Sequence, residues 1–376
     1  MLDIQEFGAL LKTRGLHFAS GVPCSFLKEL INYASSSLQY IIAAQEGEAV
    51  AIAAGAHLAG KKASVLMQNS GLTNAVNPLI SLNYPFQIPV LGFVGWRGEP
   101  GHGDEPEHWL TGEITGSMLD LCKIPNAVLS KNIAEARQQL DLALDHLGGN
   151  KPFFFIVQKD TFTRAPLPGG IEIENYSQEI IDGKVHPVKP SRLQVLGKVI
   201  QYKDGKTVLV ASTGKCGREL FELDDSPHNL YMIGSMGCAS SIGLGISMVR
   251  PDTRVIILDG DGALLMRMGS LATNGYYRPR NLFHILLDNR SHDSTGGQDT
   301  VSGNVGWCRI AHEAGYVRAV RVNDTEEIGG YIAQWKKDPV LTFLHVEVAK
   351  GSKKDLGRPT VQPAEVKERL MAFLNR

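Results

Sequence analysis

At 376 residues and 43% hydrophobic content, the chain suits two α/β domains of ordinary size and is too long for one typical core. Its 38 Lys+Arg against 39 Asp+Glu leave a net charge of −1, which excludes the electrostatic footprint of a nucleic-acid or anionic-membrane binder. The five cysteines (Cys24, Cys122, Cys216, Cys238, Cys308) are scattered and form no Cys-x-x-Cys, so neither a disulfide framework nor a zinc knuckle is indicated. No apolar run approaches membrane-spanning length, and Met1–Phe7 lacks the basic-then-apolar order of a signal peptide, so a soluble, cytoplasmic protein is expected.

Short apolar strands alternate with helical patterns in two blocks, which predicts doubly wound parallel α/β sheets. In the first block strands are expected over 40–43, 63–67, 89–94 and 153–157, with helices near 25–36, 46–59, 72–83 and 133–147. Residues 44–56 enter a helix rich in small residues, with Glu46 and Glu48 in its first turn, where the helix dipole favours carboxylates. Residues 67–78 pass from a strand through the polar turn Asn69, Ser70, Gly71 into a helix, an arrangement that aims backbone N–H groups at a ligand. The strand exit at 95–108 carries Arg97, His102, Asp104 and His108. The forked donors of Arg97 suit an anionic group, with a mixed-charge surface loop as the alternative.

Residues 166–194 contain Pro166, Pro168, Gly169, Gly170, Pro187 and Pro190 without sustained periodicity, and form the expected linker between a domain at 1–165 and another at 195–376. The second block predicts strands over 207–211, 254–258, 282–287 and 341–348, with helices near 216–223, 239–248, 264–276 and 362–375. Lys215 follows an apolar strand and either meets an anion or is simply solvated. Residues 234–241 offer glycines for close backbone approach and serines for phosphate oxygens. The run 255–262 is a buried strand ending in Gly260-Asp261-Gly262, which delivers Asp261 to the carboxyl edge where such sheets bind ligands. A second strand ends at Asp288-Asn289. Oxygen ligands at both strand ends suit a hard cation such as Mg²⁺ and, with it, a diphosphate-bearing cofactor. Residues 291–298 read as a polar, mobile loop, where His292 acts near neutral pH or is an ordinary surface histidine.

Gly260-Asp261-Gly262, a 26-residue spacer (263–288) and Asn289 resemble the signature of the thiamine-diphosphate enzymes. That resemblance implies that Asp261, the Asn289 side chain and the Ser291 carbonyl hold Mg²⁺ and through it the diphosphate, with Gly260, Gly262 and Ala263 alongside. Gly234, Ser235 and Met236 match the motif whose large apolar residue wedges beneath the cofactor. Glu46, nine residues before Gly55, matches the glutamate that hydrogen-bonds the aminopyrimidine, a role that calls for a dry cleft. Glu48 is the second candidate for it, read rather as a solvated or capping carboxylate. Asp288 stands where the family often has Asn.

Within these enzymes, residues 21–28 with Ser25, the turn Asn69-Ser70-Gly71, the loop from Arg97 to His108 and the run His292–Gln298 closely resemble the phosphonopyruvate decarboxylase subgroup. By that resemblance Ser25, Arg97, His102, His108 and His292 face substrate, and Glu46 and His292 are catalytic; Lys215, from its place at the strand end, is a further candidate for the substrate anion, and Cys24 receives no catalytic role. The resemblance covers nearly the whole chain, with a pyrimidine-binding domain at 1–165, a diphosphate-binding domain at 195–376 and no middle domain. It implies a lyase that uses thiamine diphosphate and Mg²⁺ for non-oxidative decarboxylation of 3-phosphonopyruvate to phosphonoacetaldehyde in phosphonate biosynthesis. It also implies at least a homodimer, because family sites lie between blocks of different subunits. Sulfopyruvate, which differs mainly in its tetrahedral anion, is the alternative substrate. A Mg²⁺-dependent nucleotide-binding regulatory α/β protein would explain Asp261 and Asn289 but leave Glu46 without a purpose.

Overall fold

The computed structural model describes residues 1–170 and 177–375, which fall into two compact units, Met1–Glu172 and Ile173–Arg376. The first is built on strands β1 (Leu16–Gly21), β2 (Gln39–Ile42), β3 (Lys62–Gln68), β4 (Leu91–Gly95), β5 (Asn126–Val128) and β6 (Phe153–Val157). All pair in parallel, in the order β2-β1-β3-β4-β6-β5. The helix Glu46–Leu58 packs against β1 and β3, and its residues from Gly47 to Ala56 are all buried. A helix apolar on every side is a core helix, and its alanines and glycines let neighbouring backbones approach closely. β1 goes out to β2, and the chain then returns to place β3 on the other side of β1. The carboxyl ends of β1 and β3 therefore flank a point where the winding reverses, the place such sheets leave a crevice.

The second unit holds β7 (Glu179–Asp182), β8 (Thr207–Ala211), β9 (Asn229–Tyr231), β10 (Arg254–Gly260), β11 (Leu282–Asp288), β14 (Arg318–Val322) and β15 (Thr342–Glu347), again all parallel, in the order β7-β14-β15-β11-β10-β8-β9. A two-stranded antiparallel hairpin, β12 (Ser291–His292) and β13 (Gln298–Asp299), stands after β11. β11 is buried along its whole length and β10 along its middle, as the continuous apolar runs require of strands covered on both faces. The register sets Asp259 opposite Leu286 and Gly260 opposite Leu287, so the two strands deliver Asp261 and Asp288-Asn289 to one edge. The winding reverses between β8 and β10, which opens a crevice between Ser212 and Asp261 at their carboxyl ends.

Several elements depart from the sequence-based expectation. β1 carries His17 and Ser20 and does not read as an apolar run; buried Ser20 is satisfied by donating to the Ile41 carbonyl at 2.9 Å. β14 is interrupted by Arg318 and Arg321, whose charges pair with Glu179 and Glu347. β5 and β9 have three residues each, too few for a periodicity. β7 lies inside the stretch expected to be linker and pairs with β14; residues 171–176 of that stretch lie outside the described residues. The single helix expected near 264–276 is two, Asp261–Met266 and Ser270–Tyr277, broken at Arg267 with φ −140°. The loop at 291–298, expected to be mobile, is a hairpin closed through Gly296 and Gly297 at positive φ. None of the five cysteines forms a disulfide, and among the described residues no helix is long and apolar enough to cross a membrane.

Candidate active site

In the first unit Glu46 opens its helix on the Gln45 cap, whose side chain accepts from the Gly47 and Glu48 N–H groups. Glu48 is 1% exposed and accepts from the Ala44 N–H at 3.0 Å, which makes it a buried capping carboxylate rather than a solvated one. Glu46 is half-buried; its Oε2 accepts from Asn74 Nδ2 at 2.9 Å, while Oε1 lies against Gly71, where an added Cβ would stand only 2.1 Å away. Gly71 is thus required by close approach. Asn69 is buried, with Nδ2 donating to the Arg97 carbonyl (2.7 Å) and Thr115 Oγ1 (3.0 Å), and with Oδ1 lacking a hydrogen-bond partner among the described residues. Ser70 Oγ accepts from Gln68 Nε2 at 2.7 Å.

Arg97 differs from expectation. Its fork is taken by Asp104, with Nε 2.7 Å from Oδ2 and Nη2 2.5 Å from Oδ1, and its remaining Nη1 meets Ser25 Oγ at 3.3 Å. That pairing holds the Asp104 carboxyl well below the usual carboxylate range, and Phe26 stacks under the guanidinium at 5.2 Å. Arg97, Asp104, Ser25 and Phe26 line a cavity of about 520 Å³ together with Lys28 and Lys159. His102 is exposed and lines an adjoining cavity of about 250 Å³. His108, expected to face substrate, is instead 8% exposed, and its Nδ1 is buried without a hydrogen-bond partner among the described residues. It closes the loop by backbone contact: a Cβ on Gly98 would fall 1.9 Å from the His108 carbonyl oxygen. Cys24 is buried, and burial raises its thiol pKa, so it remains a thiol near neutral pH.

In the second unit a cavity of about 250 Å³ occupies the crevice between β8 and β10. Lys215, Met236, Gly260, Asp261, Gly262, Ala263, Asn289, Ser291 and His292 all line it, so nine predicted site residues from four separate stretches converge. Gly234 and Ser235 precede Met236; Ser235 is buried and holds a left-handed φ of 50°, a conformation a non-glycine residue keeps only where its surroundings impose it. Gly262 permits the convergence, because a Cβ there would lie 2.6 Å from His292 Cε1 and 3.3 Å from Met236 Cε. Asp261 is 2% exposed and accepts from Thr300 Oγ1. Burial pushes its carboxyl pKa up, and the nearby negative charge of Asp288 adds to the rise. Burial acts upward on Asp288 too, but His345 Nε2 at 2.9 Å outweighs it and holds that carboxyl below its ordinary value.

Asn289 presents its Oδ1 to the Ser291 N–H at 3.0 Å and its Nδ2 to Asp293 Oδ2 at 2.6 Å. Between Asn289 and Ser291 the chain turns through Arg290 at φ 57°. A buried carboxylate made costly by its surroundings, beside an amide oxygen with a free lone pair, is a donor set that a hard cation would relieve. The residues present therefore fit Mg²⁺. Thr300, Asp293, His345, Asn74 and Thr115 escaped sequence reasoning. Thr300 and Asp293 sit in or beside the polar run 291–298 and Asn74 lies within the run 67–78, both already singled out, whereas nothing local marks His345.

Comparison with known proteins gives consistent matches. Residues 6–119 match the thiamine pyrophosphate enzyme N-terminal binding domain, and residues 213–346 match the corresponding C-terminal binding domain. The chain is 38% identical to a phosphonopyruvate decarboxylase of Streptomyces viridochromogenes, covering 100% of this chain and 95% of that one. It is 29% identical to a sulfopyruvate decarboxylase of Methanosarcina acetivorans, over 97% and 96% of the two chains. A solved thiamine diphosphate-dependent 4-hydroxybenzoylformate decarboxylase from Rhodococcus jostii RHA1 shares the fold, with a TM-score of 0.75 at 12% identity over 94% of this chain and 100% of that one.

Proposed function

Because this chain belongs to the thiamine pyrophosphate enzymes, on the branch of the phosphonopyruvate decarboxylases, we propose that it converts 3-phosphonopyruvate to phosphonoacetaldehyde and CO₂. The observation that carries this reading is end-to-end similarity to a phosphonopyruvate decarboxylase, higher than to a sulfopyruvate decarboxylase of similar coverage. The bond from the keto carbon to the carboxylate breaks, its electron pair stays on that carbon, CO₂ leaves, and a proton takes its place. Removal of CO₂ draws forward the unfavourable isomerisation that forms the carbon–phosphorus bond, which suits a role in phosphonate biosynthesis.

Thiamine diphosphate, when bound, supplies the electron sink that the 2-oxo acid lacks. When cation and cofactor are bound, Asp261, the Asn289 amide oxygen and the Ser291 carbonyl would hold Mg²⁺ and, through it, the diphosphate. The helix Lys215–Leu223 begins on the same cavity, so its first N–H groups and positive dipole end favour phosphate oxygens. Met236, whose Cε faces Gly262 across the cavity, would supply the apolar contact to the bound cofactor. Glu46 would hold a proton at Oε1 for the aminopyrimidine of the bound cofactor, with Asn74 fixing the other oxygen so that Oε1 is the one presented over Gly71. His292, on the hairpin beside the cavity, faces substrate and serves as a proton carrier. Ser25, Arg97 and His102 form an anion-facing group on the first unit, and Arg97 must exchange Asp104 for substrate to bind it directly. The enzyme works as a cytoplasmic homo-oligomer of at least two subunits, each site built from a pyrimidine domain and a diphosphate domain of different subunits. Measuring kcat/KM for 3-phosphonopyruvate, sulfopyruvate and pyruvate side by side tests the substrate. Preference for the phosphonate supports the proposal, and preference for sulfopyruvate overturns it while leaving the chemistry intact.

A further inference from the structure

We infer that Asp293, anchored by Arg192, is the positioning residue that turns the oxygen rather than the nitrogen of Asn289 toward the cation; this rests on the metal-ligand role proposed above. A primary amide has two ends of similar size, and only its oxygen ligates a hard cation. Asn289 Nδ2 donates to Asp293 Oδ2 at 2.6 Å, and Asn289 Oδ1 accepts from the Ser291 N–H at 3.0 Å. An ionised carboxylate only accepts, so a reversed amide would set two oxygens against each other at that distance and lose both bonds. Asp293, together with the Ser291 N–H, therefore selects the productive orientation before any metal arrives.

Asp293 is itself fixed. The Gly351 N–H donates to both of its oxygens, at 3.2 and 3.1 Å, and Arg192 Nη1 lies 3.3 Å from Oδ2. Arg192 is 6% exposed and is gripped from the other side by Glu219, with Nε–Oε2 at 2.9 Å and Nη2–Oε1 at 3.2 Å. This carboxylate–guanidinium–carboxylate array ties the start of the helix Arg192–Gln201 and the helix Lys215–Leu223 to the hairpin that follows β11. Buried charges of this kind hold one geometry because any departure leaves one of them unpaired.

The test uses the full chain with thiamine diphosphate and Mn²⁺ as a paramagnetic stand-in for Mg²⁺, free Mn²⁺ being counted by electron paramagnetic resonance. Asp293→Ala is expected to need about 10- to 100-fold more Mn²⁺ for half-saturation, the usual effect of losing an outer partner of a metal ligand. Cofactor binding should return at high metal, and the apo protein should melt as the wild type does. Asp293→Asn keeps one acceptor oxygen and should fall between; it also serves if the alanine variant does not fold. Asp299→Ala, an exposed position on the same hairpin, should bind Mn²⁺ as the wild type does. Half-saturation of Asp293→Asn and Asp293→Ala within twofold of wild type overturns the inference, as does loss of cofactor at every metal concentration, which marks a scaffold defect. Failure of the wild type to take up Mn²⁺ with thiamine diphosphate would instead overturn the metal reading on which the inference rests.

Discussion

Replacing Gly71 with Ala tests the placement of Glu46 without touching its chemistry. A Cβ at this position would stand 2.1 Å from Glu46 Oε1 and 2.3 Å from its Cδ, whereas ordinary contact begins at 3.4 Å. The carboxylate must retreat by roughly 1 Å and pull against its 2.9 Å bond from Asn74, and a misplacement of that size costs on the order of 10²-fold in rate, or ~2.7 kcal/mol of barrier. Gly71 is the third residue of the helix Asn69–Pro78, where alanine is still preferred to glycine, by less than the ~1 kcal/mol of a helix interior, so the steric penalty and the helix propensity oppose each other in stability. The expected outcome is a kcat about 100-fold lower, with thiamine diphosphate affinity and melting temperature close to wild type. Aldehyde release measured with a coupled reductase, beside calorimetric cofactor titration and thermal melting, reads all three. A Gly71→Ala enzyme whose kcat stays within threefold of wild type would refute the reasoning that Glu46 Oε1 works from this position.

Glu46→Gln removes the exchangeable proton while keeping the shape. Cofactor should remain bound while turnover falls by roughly the 10²- to 10⁴-fold range of general acid–base catalysis, checked by parallel binding and rate measurements. Asp261→Ala should abolish Mg²⁺-dependent cofactor uptake, and a titration that still shows wild-type affinity would remove Asp261 from the metal site. Glu347, which does not line the cavity, offers a pH test. Burial pushes its carboxyl upward, but Lys189 at 2.9 Å and Arg321 at 2.5 Å prevail and bring it down to about 2 from an ordinary 4.5. A depressed carboxylate pKa contributes stability present above the unfolded value and lost as pH falls through the folded one. The wild type should therefore lose this contribution between pH 4.5 and about 2, and Glu347→Gln should start less stable at neutral pH and show a flatter acid limb in urea melts. Parallel acid limbs in the two proteins would contradict the pairing.

The convergence of residues on the cavity of the second unit was legible in the sequence because several of them stand at the ends of strong apolar strands. Asp261 and Asn289 inherit their positions from β10 and β11, whose burial dictates both their identity as strands and their register. The first unit was less legible. Glu46 could be picked out by its place before a small-residue helix, but the reason its carboxylate faces one way lies in Asn74 and Gly71, 28 and 25 positions further on, which only the fold brings near. Arg97 shows a different limit of sequence reading. Its residue type announces anion binding, yet Asp104 seven positions later satisfies its fork, and no pattern of spacing separates a guanidinium awaiting substrate from one already paired. His108 was misplaced for a related reason, since its burial follows from the backbone closure of the loop on Gly98. Polar strands such as β14, whose arginines are neutralised by partners distant in sequence, are likewise invisible to hydrophobic periodicity.

The most direct test of the account is to follow 3-phosphonopyruvate by ³¹P nuclear magnetic resonance with the purified protein, with thiamine diphosphate and Mg²⁺ both present and each withheld in turn. Conversion to phosphonoacetaldehyde is expected only when both are present. No conversion with both present, or conversion indifferent to either, would contradict it and return attention to a Mg²⁺-dependent nucleotide-binding role.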